Sequence, residues 1–329
     1  MRSRASEIGW IASNSLVHMT GYEALRNGTA WIDLSARGKI RVTGEDRARL
    51  LHAMCTNNVQ DLAAGEGLYA FFLTAQGRII ADAYIYNLGE SHLLDTEPET
   101  ASKLRDHLDK FIIADDVMLE DETSQWAAIG LEGPNFREPA LALGIAAPEK
   151  KFSITEWGAG FIAHIASTGP EGIRIFLPSN QHEYLIQRLT GLEIPSASAE
   201  EARLVRLENG IPRYGEDISD RDLVHETQQL QAVHTNKGCY LGQEIVERVR
   251  SRGQVHRLLT PIRVKSTTPP APGTKLITEG KSIAEITSAA YSPKLQEVVA
   301  LAYVRTEAAQ SKPEMVVSGS DPQAIAYIS

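Results

Sequence analysis

The pattern of the sequence changes at Leu258, and this change restricts the possible folds more than any other feature. Beyond it, short apolar runs alternate with turn-forming segments such as TTPPAPG, EGK and YSPKLQ. Several short strands separated by turns are typical of a small antiparallel β-barrel or sandwich. We therefore place a domain boundary near residue 258 and expect a C-terminal β-barrel over residues 259–329.

The part before this boundary alternates between strand-like and helix-like segments. GTAWIDLSARGKIRVTG (28–44) predicts a strand, a turn and a strand, and apolar spacing predicts helices over 45–55 and about 97–112. A similar order recurs where the strand GIRIFLPSN (172–180) is followed by the amphipathic HEYLIQRLTG (182–191). The repetition predicts an α+β protein with two similar, ferredoxin-like units.

Charge and apolar content exclude several classes of protein. The 329-residue chain has a formal net charge of −9, which argues against a general nucleic-acid binder. Its apolar runs fall short of the roughly 18 residues of a membrane-spanning helix, so we expect no membrane partner. The two cysteines, Cys55 and Cys239, cannot form a disulfide framework, which favours a cytoplasmic location.

The opening segment 1–19 bears on targeting. It carries two arginines and one acid, Glu7, and Ser13, Asn14 and Ser15 interrupt its apolar stretch. The interruption makes the segment a poor secretory signal, whereas its Arg- and Ser-containing composition leaves a mitochondrial transit peptide as an alternative.

One of the two cysteines lies in the segment KGCYLGQE (237–244). Lys237 and a helix predicted to begin just after Gly242 would both favour the thiolate of Cys239. Gly238 and Gly242 allow a loop that approaches a ligand closely. The alternatives for Cys239 are a reactive thiol, a ligand contact, or a small packing residue, which is what we expect of Cys55.

A basic segment follows this loop. Arg248, Arg250 and Arg252 form either a solvated face or a rim that binds anions. No metal site is expected, because His225, His234 and Cys239 are nine and five residues apart, which matches no common ligand pattern.

KGCYLGQE followed by RSRG resembles the signature of the folate-binding YgfZ family, relatives of the glycine-cleavage T-protein that support iron–sulfur proteins. Three further segments resemble the wider superfamily, and together the matches span most of the chain: TGEDRARLLHAMCTNNV (43–59), RLENGIPRYGEDI (206–218) and EITSAAYSPKLQEVVALAYV (285–304).

The resemblance implies a three-lobed ring around a central channel that binds tetrahydrofolate or a one-carbon derivative. Two interleaved α+β lobes would comprise approximately 1–48 with 115–258, and 49–114, and the barrel would be the third. GRIIAD matches a GGIIDD-like stretch, so Ala81 replaces the first acid and Asp82 keeps the second, near the reactive nitrogen of the folate.

The matching pterin-binding glutamate is Glu208, since one carboxylate can accept two hydrogen bonds from a pterin edge. A solvent-facing helix residue is the alternative for Glu208, and a strand-end acid is the alternative for Asp82. We expect Glu208 and Cys239 to face one cavity, with the arginines of the basic segment attracting the anionic folate tail. The loop residues expected to help bind the ligand are Lys237, Gly238, Tyr240, Gln243 and Glu244.

The sequence is compatible with three functions. The first is a tetrahydrofolate-binding protein that assists maturation or repair of iron–sulfur enzymes, including tRNA-thiolating ones, without itself holding a stable cluster. The second is a folate-dependent aminomethyltransferase or demethylase in which Asp82 acts through its charge. The Ala81–Asp82 pair and the KGCYLGQE loop weaken this second hypothesis. The third is an interaction module that binds no folate.

Overall fold

A computed structural model of the protein describes residues 19–253, 255–320 and 323–329, without the side chain of Arg252. The candidate targeting segment 1–19 therefore lies almost entirely outside the described residues. The described chain contains eight α-helices: α1 (Gly21–Asn27), α2 (Arg47–Met54), α3 (Ala101–Asp109), α4 (Arg137–Ala142), α5 (His182–Gly191), α6 (Ala199–Glu208), α7 (Gln243–Arg252) and α8 (Thr306–Ser311).

The strands form two five-stranded antiparallel sheets and a closed barrel. In chain order, the ten strands of the two sheets are β1 (Ala30–Asp33), β2 (Gly38–Thr43), β3 (Gly67–Leu73), β4 (Ile79–Asn87), β5 (His92–Thr96), β6 (Met118–Asp121), β7 (Trp126–Glu132), β8 (Ile154–Trp157), β9 (Gly160–Ala163) and β10 (Gly172–Pro178). The barrel is built from β11 (Arg257–Val264), β12 (Lys275–Thr278), β13 (Lys281–Ser292), β14 (Glu297–Arg305), β15 (Met315–Val317) and β16 (Ile325–Ile328).

Lobe A is the sheet with strand order β1-β7-β10-β9-β8 and the helices packed on it. Its core contains Ile129 and Ile175 of the sheet together with Leu185 and Leu189 of α5. The two leucines are four residues apart, so they lie on one face of the helix. Burial of this face against the sheet holds the helix in place.

Lobe B is the sheet with strand order β3-β4-β5-β2-β6. Its core joins the sheet to Leu50 and Leu51 of α2 and to Leu104 and Leu108 of α3. On β4, Ala81 and Ala83 belong to this core, so the residue between them, Asp82, faces the other way. Asp82 therefore lies on the face of the lobe B sheet that is opposite this core.

The strand pairing differs from the lobe boundaries proposed at residues 48 and 115. Strand β1 pairs with β7 in lobe A, whereas β2 pairs with β5 and β6 in lobe B. The predicted strand–turn–strand at 28–44 is therefore not a hairpin, because the chain passes between the lobes in its turn. Lobe B accordingly begins at β2 and ends with β6.

The barrel is antiparallel and closes through pairing of β11 with β16. Its interior is filled by apolar side chains, among them Ile262, Ile286 and Val304. The predicted α+β class with a C-terminal antiparallel β-barrel is confirmed. No helix in the described residues is both long enough and apolar enough to cross a membrane.

Candidate ligand-binding site

A cavity of about 750 Å³ lies between the two α+β lobes, and we call it the large cavity. Its wall includes Ile32 and Arg174 of lobe A, Asp82 and Tyr84 of lobe B, and the side of α6 that carries Arg203. No described residue of the barrel strands lines it. Its volume is in the range of sites for drug-sized ligands and cofactors.

Asp82 supplies the large cavity with a buried carboxyl group. Its Oδ2 accepts a 2.6 Å hydrogen bond from the hydroxyl of Tyr69 on the neighbouring strand. Burial, reinforced by the negative charge of Glu97, raises the pKa of Asp82 to about 6. Tyr69 occupies one oxygen of this carboxyl, and no described residue donates a hydrogen bond to the other, so Oδ1 can receive one from a ligand.

Ala81 lies on the opposite side of β4 from the large cavity. It is fully buried in the core of lobe B, whereas Asp82 lines the cavity. An acid at position 81 would point into that core. The replacement of the first acid by alanine therefore removes no carboxyl group from the large cavity, and it does not argue against transferase chemistry.

Three aromatic side chains extend from Asp82 along the same wall. The ring centroids of Tyr69 and Tyr84 are 5.0 Å apart, and those of Tyr84 and Phe152 are 6.1 Å apart. Burial raises the pKa of Tyr84 to about 12, so its hydroxyl is protonated at neutral pH. This hydroxyl has no hydrogen-bond partner among the described residues, and the wall suits a flat ring with polar edges.

A buried ion network supports this wall and joins the lobes. Asp95 of β5 accepts a 2.6 Å hydrogen bond from Nε of Arg37 and another from Arg174 of β10. Burial alone would raise the pKa of Asp95, but the two guanidinium groups lower it. Because both arginines also line the large cavity, the network fixes part of its wall.

Glu208 does not line the large cavity. It lines a separate cavity of about 330 Å³, the small cavity, where its side chain is only 7% exposed. Its carboxylate accepts hydrogen bonds from the Tyr22 hydroxyl at 2.7 Å and the Ser292 hydroxyl at 2.5 Å, and it pairs with Arg26 at 3.1 Å. The two cavities adjoin, since Thr168 lines both.

The KGCYLGQE loop packs on α2, away from both cavities. The ammonium of Lys237 donates hydrogen bonds to the carbonyls of His52 and Cys55, the latter at 2.9 Å, and lies 4.7 Å from the ring centroid of Tyr240. Burial lowers the pKa of Lys237. Its ammonium thus anchors the loop rather than contacting the thiol of Cys239.

Cys239 is exposed, whereas Cys55 is buried in the core of lobe B. Nε2 of Gln243 lies 4.0 Å from Sγ of Cys239, and the side-chain oxygen of Gln243 accepts a 2.9 Å hydrogen bond from the backbone of Tyr240. Because Cys239 lines neither cavity, the structure does not place it in one cavity with Glu208. That expectation was wrong: a sequence match does not show on which side of its loop a side chain lies.

The glycines of this loop have different surroundings. Gly242 has a φ of +83°, and a Cβ there would lie 2.5 Å from the carbonyl oxygen of Thr74. Glycine is therefore required where the loop turns into α7 against lobe B. Gly238 also has a positive φ, +92°, but open space around it, and Glu244 is exposed in the first turn of α7.

The arginines of α7 do not surround either cavity. Arg248 and Arg250 are exposed, and Arg250 pairs with Glu247 at 2.6 Å. The helix buries Val246 against the protein, which turns these arginines towards solvent. Arg248 and Arg250 line neither cavity, and the side chain of Arg252 lies outside the described residues.

Sequence analysis missed Tyr69, Tyr84, Arg37 and Arg174. Only Tyr84 had a usable signal, because it lies two residues after Asp82 on a predicted strand and so shares its face. The others come from distant segments that meet only in the folded protein. Among the described residues, no group of three or more His, Cys, Asp or Glu side chains is arranged to hold a metal ion.

Comparisons with known proteins agree with this architecture. Residues 17–237 match the GCVT N-terminal domain, and residues 231–324 match the glycine cleavage T-protein C-terminal barrel domain. An aminomethyltransferase of Deinococcus deserti is 25% identical over 297 residues, which cover 88% of this chain and 81% of that protein. An aminomethyltransferase of Rubrobacter xylanophilus is 27% identical over 293 residues, covering 87% and 78%.

Among solved structures, the glycine cleavage system aminomethyltransferase T from Bartonella henselae matches with a TM-score of 0.85. The match covers 94% of this chain and 87% of that chain at 19% identity, and it shows that the fold is shared. The GCVT N-terminal match alone spans more than half of the sequence. The chain therefore belongs to the glycine cleavage T-protein family.

Proposed function

We propose that this protein binds tetrahydrofolate in the large cavity and assists the maturation or repair of iron–sulfur enzymes, including those that thiolate tRNA. The observation that carries folate binding is the buried carboxyl of Asp82 at one end of an aromatic wall. A reduced pterin has a flat ring with N–H donors on its edge. Tyr84 and Tyr69 would lie along the ring, and the free oxygen of Asp82 would accept a hydrogen bond from it.

The electrostatics of the large cavity support this assignment. Tyr69 keeps one oxygen of Asp82 in place, and the buried position strengthens interactions with any group that carries positive charge. Bound tetrahydrofolate would supply a nitrogen that carries a one-carbon unit. Asp82 would then orient the ligand and offset positive charge, while the lobes exclude water.

Assistance to iron–sulfur enzymes is supported by the exposed position of Cys239. A thiol outside both cavities is accessible to a macromolecule rather than to the bound folate. Lys237 anchors the loop on α2, so the thiol is presented from a fixed turn. The KGCYLGQE sequence itself resembles the branch of the family with this role.

Aminomethyl transfer is the second candidate. It is favoured by the position of Asp82 in the large cavity and by relatives named aminomethyltransferase. Ala81 does not weigh against it, because this residue lies in the core of lobe B and not in the large cavity. In this function Asp82 is a catalytic residue, whereas in the first it only binds folate. The two candidates share the cavity and differ in the use of Asp82 and Cys239.

Calorimetric titration with 5-formyltetrahydrofolate tests folate binding in the large cavity, which both candidate functions require. We expect saturable binding that Asp82→Ala weakens by about tenfold or more, since a buried acceptor for the ligand is lost. Glu208→Gln, which keeps acceptor oxygen for Tyr22 and Ser292, is the matched variant for the small cavity. If Glu208→Gln abolishes folate binding while Asp82→Ala does not, the pterin lies in the small cavity. Absence of saturable binding by the wild-type protein would remove both functions.

Two further assays separate the candidates. In a strain lacking its own family member, Cys239→Ala should fail to restore the activity of iron–sulfur enzymes, whereas Asp82→Asn should retain part of it. Methylenetetrahydrofolate formation from an aminomethylated lipoyl carrier tests the transferase. Turnover that Asp82→Asn abolishes, with full complementation by Cys239→Ala, would favour aminomethyl transfer instead.

A further inference from the structure

We propose that the open edge of lobe B binds a basic, extended segment of another protein as an additional strand. The edge is formed by β6, which is the last strand in the order of its sheet. We call residues 109–121, which include β6 and the chain before it, the edge segment. None of these residues lines either cavity, so this surface is independent of the proposed folate site.

Exposed apolar side chains are concentrated in the edge segment. Phe111, Ile113 and Met118 are 39%, 91% and 58% exposed. Three of the eight large apolar side chains that are exposed in the described part of the chain thus fall within residues 111–118. Single exposed apolar residues are common in folded proteins, whereas a concentration of them marks a surface that contacts another molecule.

The edge segment is anchored to lobe B, so these side chains are held in place. Ile112 and Val117 pack against the core of the lobe. The backbone N–H of Asp116 donates to Oδ2 of Asp46 at 3.0 Å, and the backbone N–H of Asp46 donates to the carbonyl of Asp116 at 3.2 Å. The apolar side chains between these anchors therefore face solvent from a fixed backbone.

The outer side of β6 has free backbone groups. Its inner side pairs with β2, where Met118 lies opposite Thr43 and Asp121 opposite Ile40. Among the described residues, the backbone of β6 forms no hydrogen bond outside this ladder. Alternate residues of a paired strand direct their N–H and C=O groups away from the partner, so these groups are available to an added strand. Proteins recognise extended peptides by such strand addition.

The charges of the edge segment determine which kind of strand is favoured. The segment contains five acids and one lysine. Glu120 is exposed and forms no ion pair with any described residue, because Arg41, opposite it in the ladder, pairs with Glu122 at 2.8 Å. Asp109 and Asp121 are also exposed, and neither forms an ion pair within the described ranges. An added strand that carries Lys or Arg therefore gains favourable charge contacts.

The same charges disfavour a second copy of this chain as the partner. If β6 paired with β6 of another molecule, the acids of the two strands would come close to each other. Like charges on paired strands are destabilising, and charged edge strands are one means by which proteins prevent self-association. A basic strand meets no such repulsion, and its apolar residues would cover Ile113 and Met118.

The order of residues along β6 predicts the pattern of the added strand. Two apolar residues, Met118 and Leu119, are followed by two acids, Glu120 and Asp121. Residues directly opposite each other on paired strands lie about 5 Å apart and interact. A strand in which two apolar residues alternate with two basic residues therefore matches both faces of β6.

Fluorescence anisotropy with the labelled peptide Val-Val-Lys-Lys-Val-Val-Lys-Lys tests this surface. We expect saturable binding by the wild-type protein at low salt, and added salt should weaken it. Glu120→Lys should weaken binding by about fivefold or more, because an attraction becomes a repulsion. Ile113→Ser should weaken binding by about threefold to tenfold, because less apolar surface is buried. Absence of saturable binding by the wild-type protein would overturn the proposal and leave the result of the folate titration unaffected.

Two substitutions outside the edge segment are matched controls. Glu156→Lys changes an exposed acid on β8, the edge strand of lobe A, and Leu141→Ser changes a 69% exposed leucine of α4. Both variants should keep the wild-type affinity for the peptide. An equal loss in either control, or no loss in Glu120→Lys and Ile113→Ser, contradicts the assigned surface. Circular dichroism checks that each variant is folded.

Strand addition itself is tested with the same peptide carrying N-methyl groups on two adjacent central residues. The side chains and their charges are unchanged, but both edges of the peptide lose a donor, so we expect binding to weaken by about tenfold. Hydrogen exchange should show protection of residues 118–121 when the unmodified peptide binds. Equal binding of the methylated peptide, protection confined to other segments, or a wild-type dimer that Ile113→Ser dissociates would each overturn the proposal.

Discussion

At the scale of single residues, Asp82 combines burial with an unusual titration. The residue is 9% exposed, and burial together with the charge of Glu97 raises the pKa of its carboxyl from 3.8 to about 6. The folded protein therefore holds this proton more tightly than the unfolded chain does. The contribution of Asp82 to the free energy of unfolding falls as the pH rises from 3.8 towards 6, and above that range the buried carboxylate is unfavourable.

We predict that Asp82→Asn raises the free energy of unfolding at pH 7.5 by about 1–2 kcal/mol, because the amide can still accept from Tyr69 without carrying charge. The gain should disappear near pH 4, which urea unfolding at the two pH values can measure. Asp33→Asn is the control with the opposite sign, since its hydrogen bonds to Ser35 and His182 outweigh burial and lower the pKa of Asp33. If Asp82→Asn is less stable than the wild-type protein at pH 7.5, the raised pKa of Asp82 is contradicted.

At the scale of elements, helix α6 places cavity residues by means of its first turn. Ser198 and Glu201 form a capping box at its N-terminus. Glu201 also accepts a 3.0 Å hydrogen bond from the backbone of Tyr22 in α1. Contact between α1 and the start of α6 is close: a Cβ at Gly21 would lie 2.8 Å from Oε2 of Glu201 and 2.5 Å from the carbonyl oxygen of Ser196, just before the helix.

We predict that Glu201→Ala lowers the free energy of unfolding by about 1–2 kcal/mol, because it leaves the backbone donors of two helices without their acceptor. Ser198→Ala should have a smaller effect of about 1 kcal/mol, since it removes the cap of α6 alone. Chemical denaturation of both variants measures the difference. Equal effects would show that the link to α1 contributes nothing.

At the scale of the whole molecule, the two α+β lobes are joined by buried charge. Asp95 of lobe B pairs with Arg174 of lobe A, and both side chains are at most 1% exposed. Arg37, in the turn between β1 and β2, binds the same carboxylate. Removing the single anion would leave two guanidinium groups buried with less compensation.

We predict that Asp95→Ala costs about 3–5 kcal/mol of stability, enough to disturb the large cavity as well as the lobe contact. Asp115→Ala removes one of the two carboxylate partners of Arg49, a largely exposed arginine that also pairs with Asp46, and should cost less than about 1 kcal/mol. Thermal and urea unfolding compare the two. A similar small loss in both variants would mean that the buried network does not join the lobes.

The sequence predicted those parts of the site that depend on neighbouring residues in the chain, and it failed where contacts join distant segments. Asp82 and the strand that carries it were accessible from a short motif. The boundary of lobe B was placed wrongly, because β2 pairs with strands that begin 50 or more residues later. The common cavity for Glu208 and Cys239 was also wrong, since motifs specify neighbours along the chain and not the side of a helix or loop that meets a cavity.

The sequence by itself determined the α+β class, the C-terminal barrel and the family resemblance, because periodicity, turn residues and motifs act over a few residues. Only the tertiary structure decided which cations are paired and that Glu208 lies in the small cavity. Those properties depend on which distant side chains come within a few ångströms, and burial then fixes their charge.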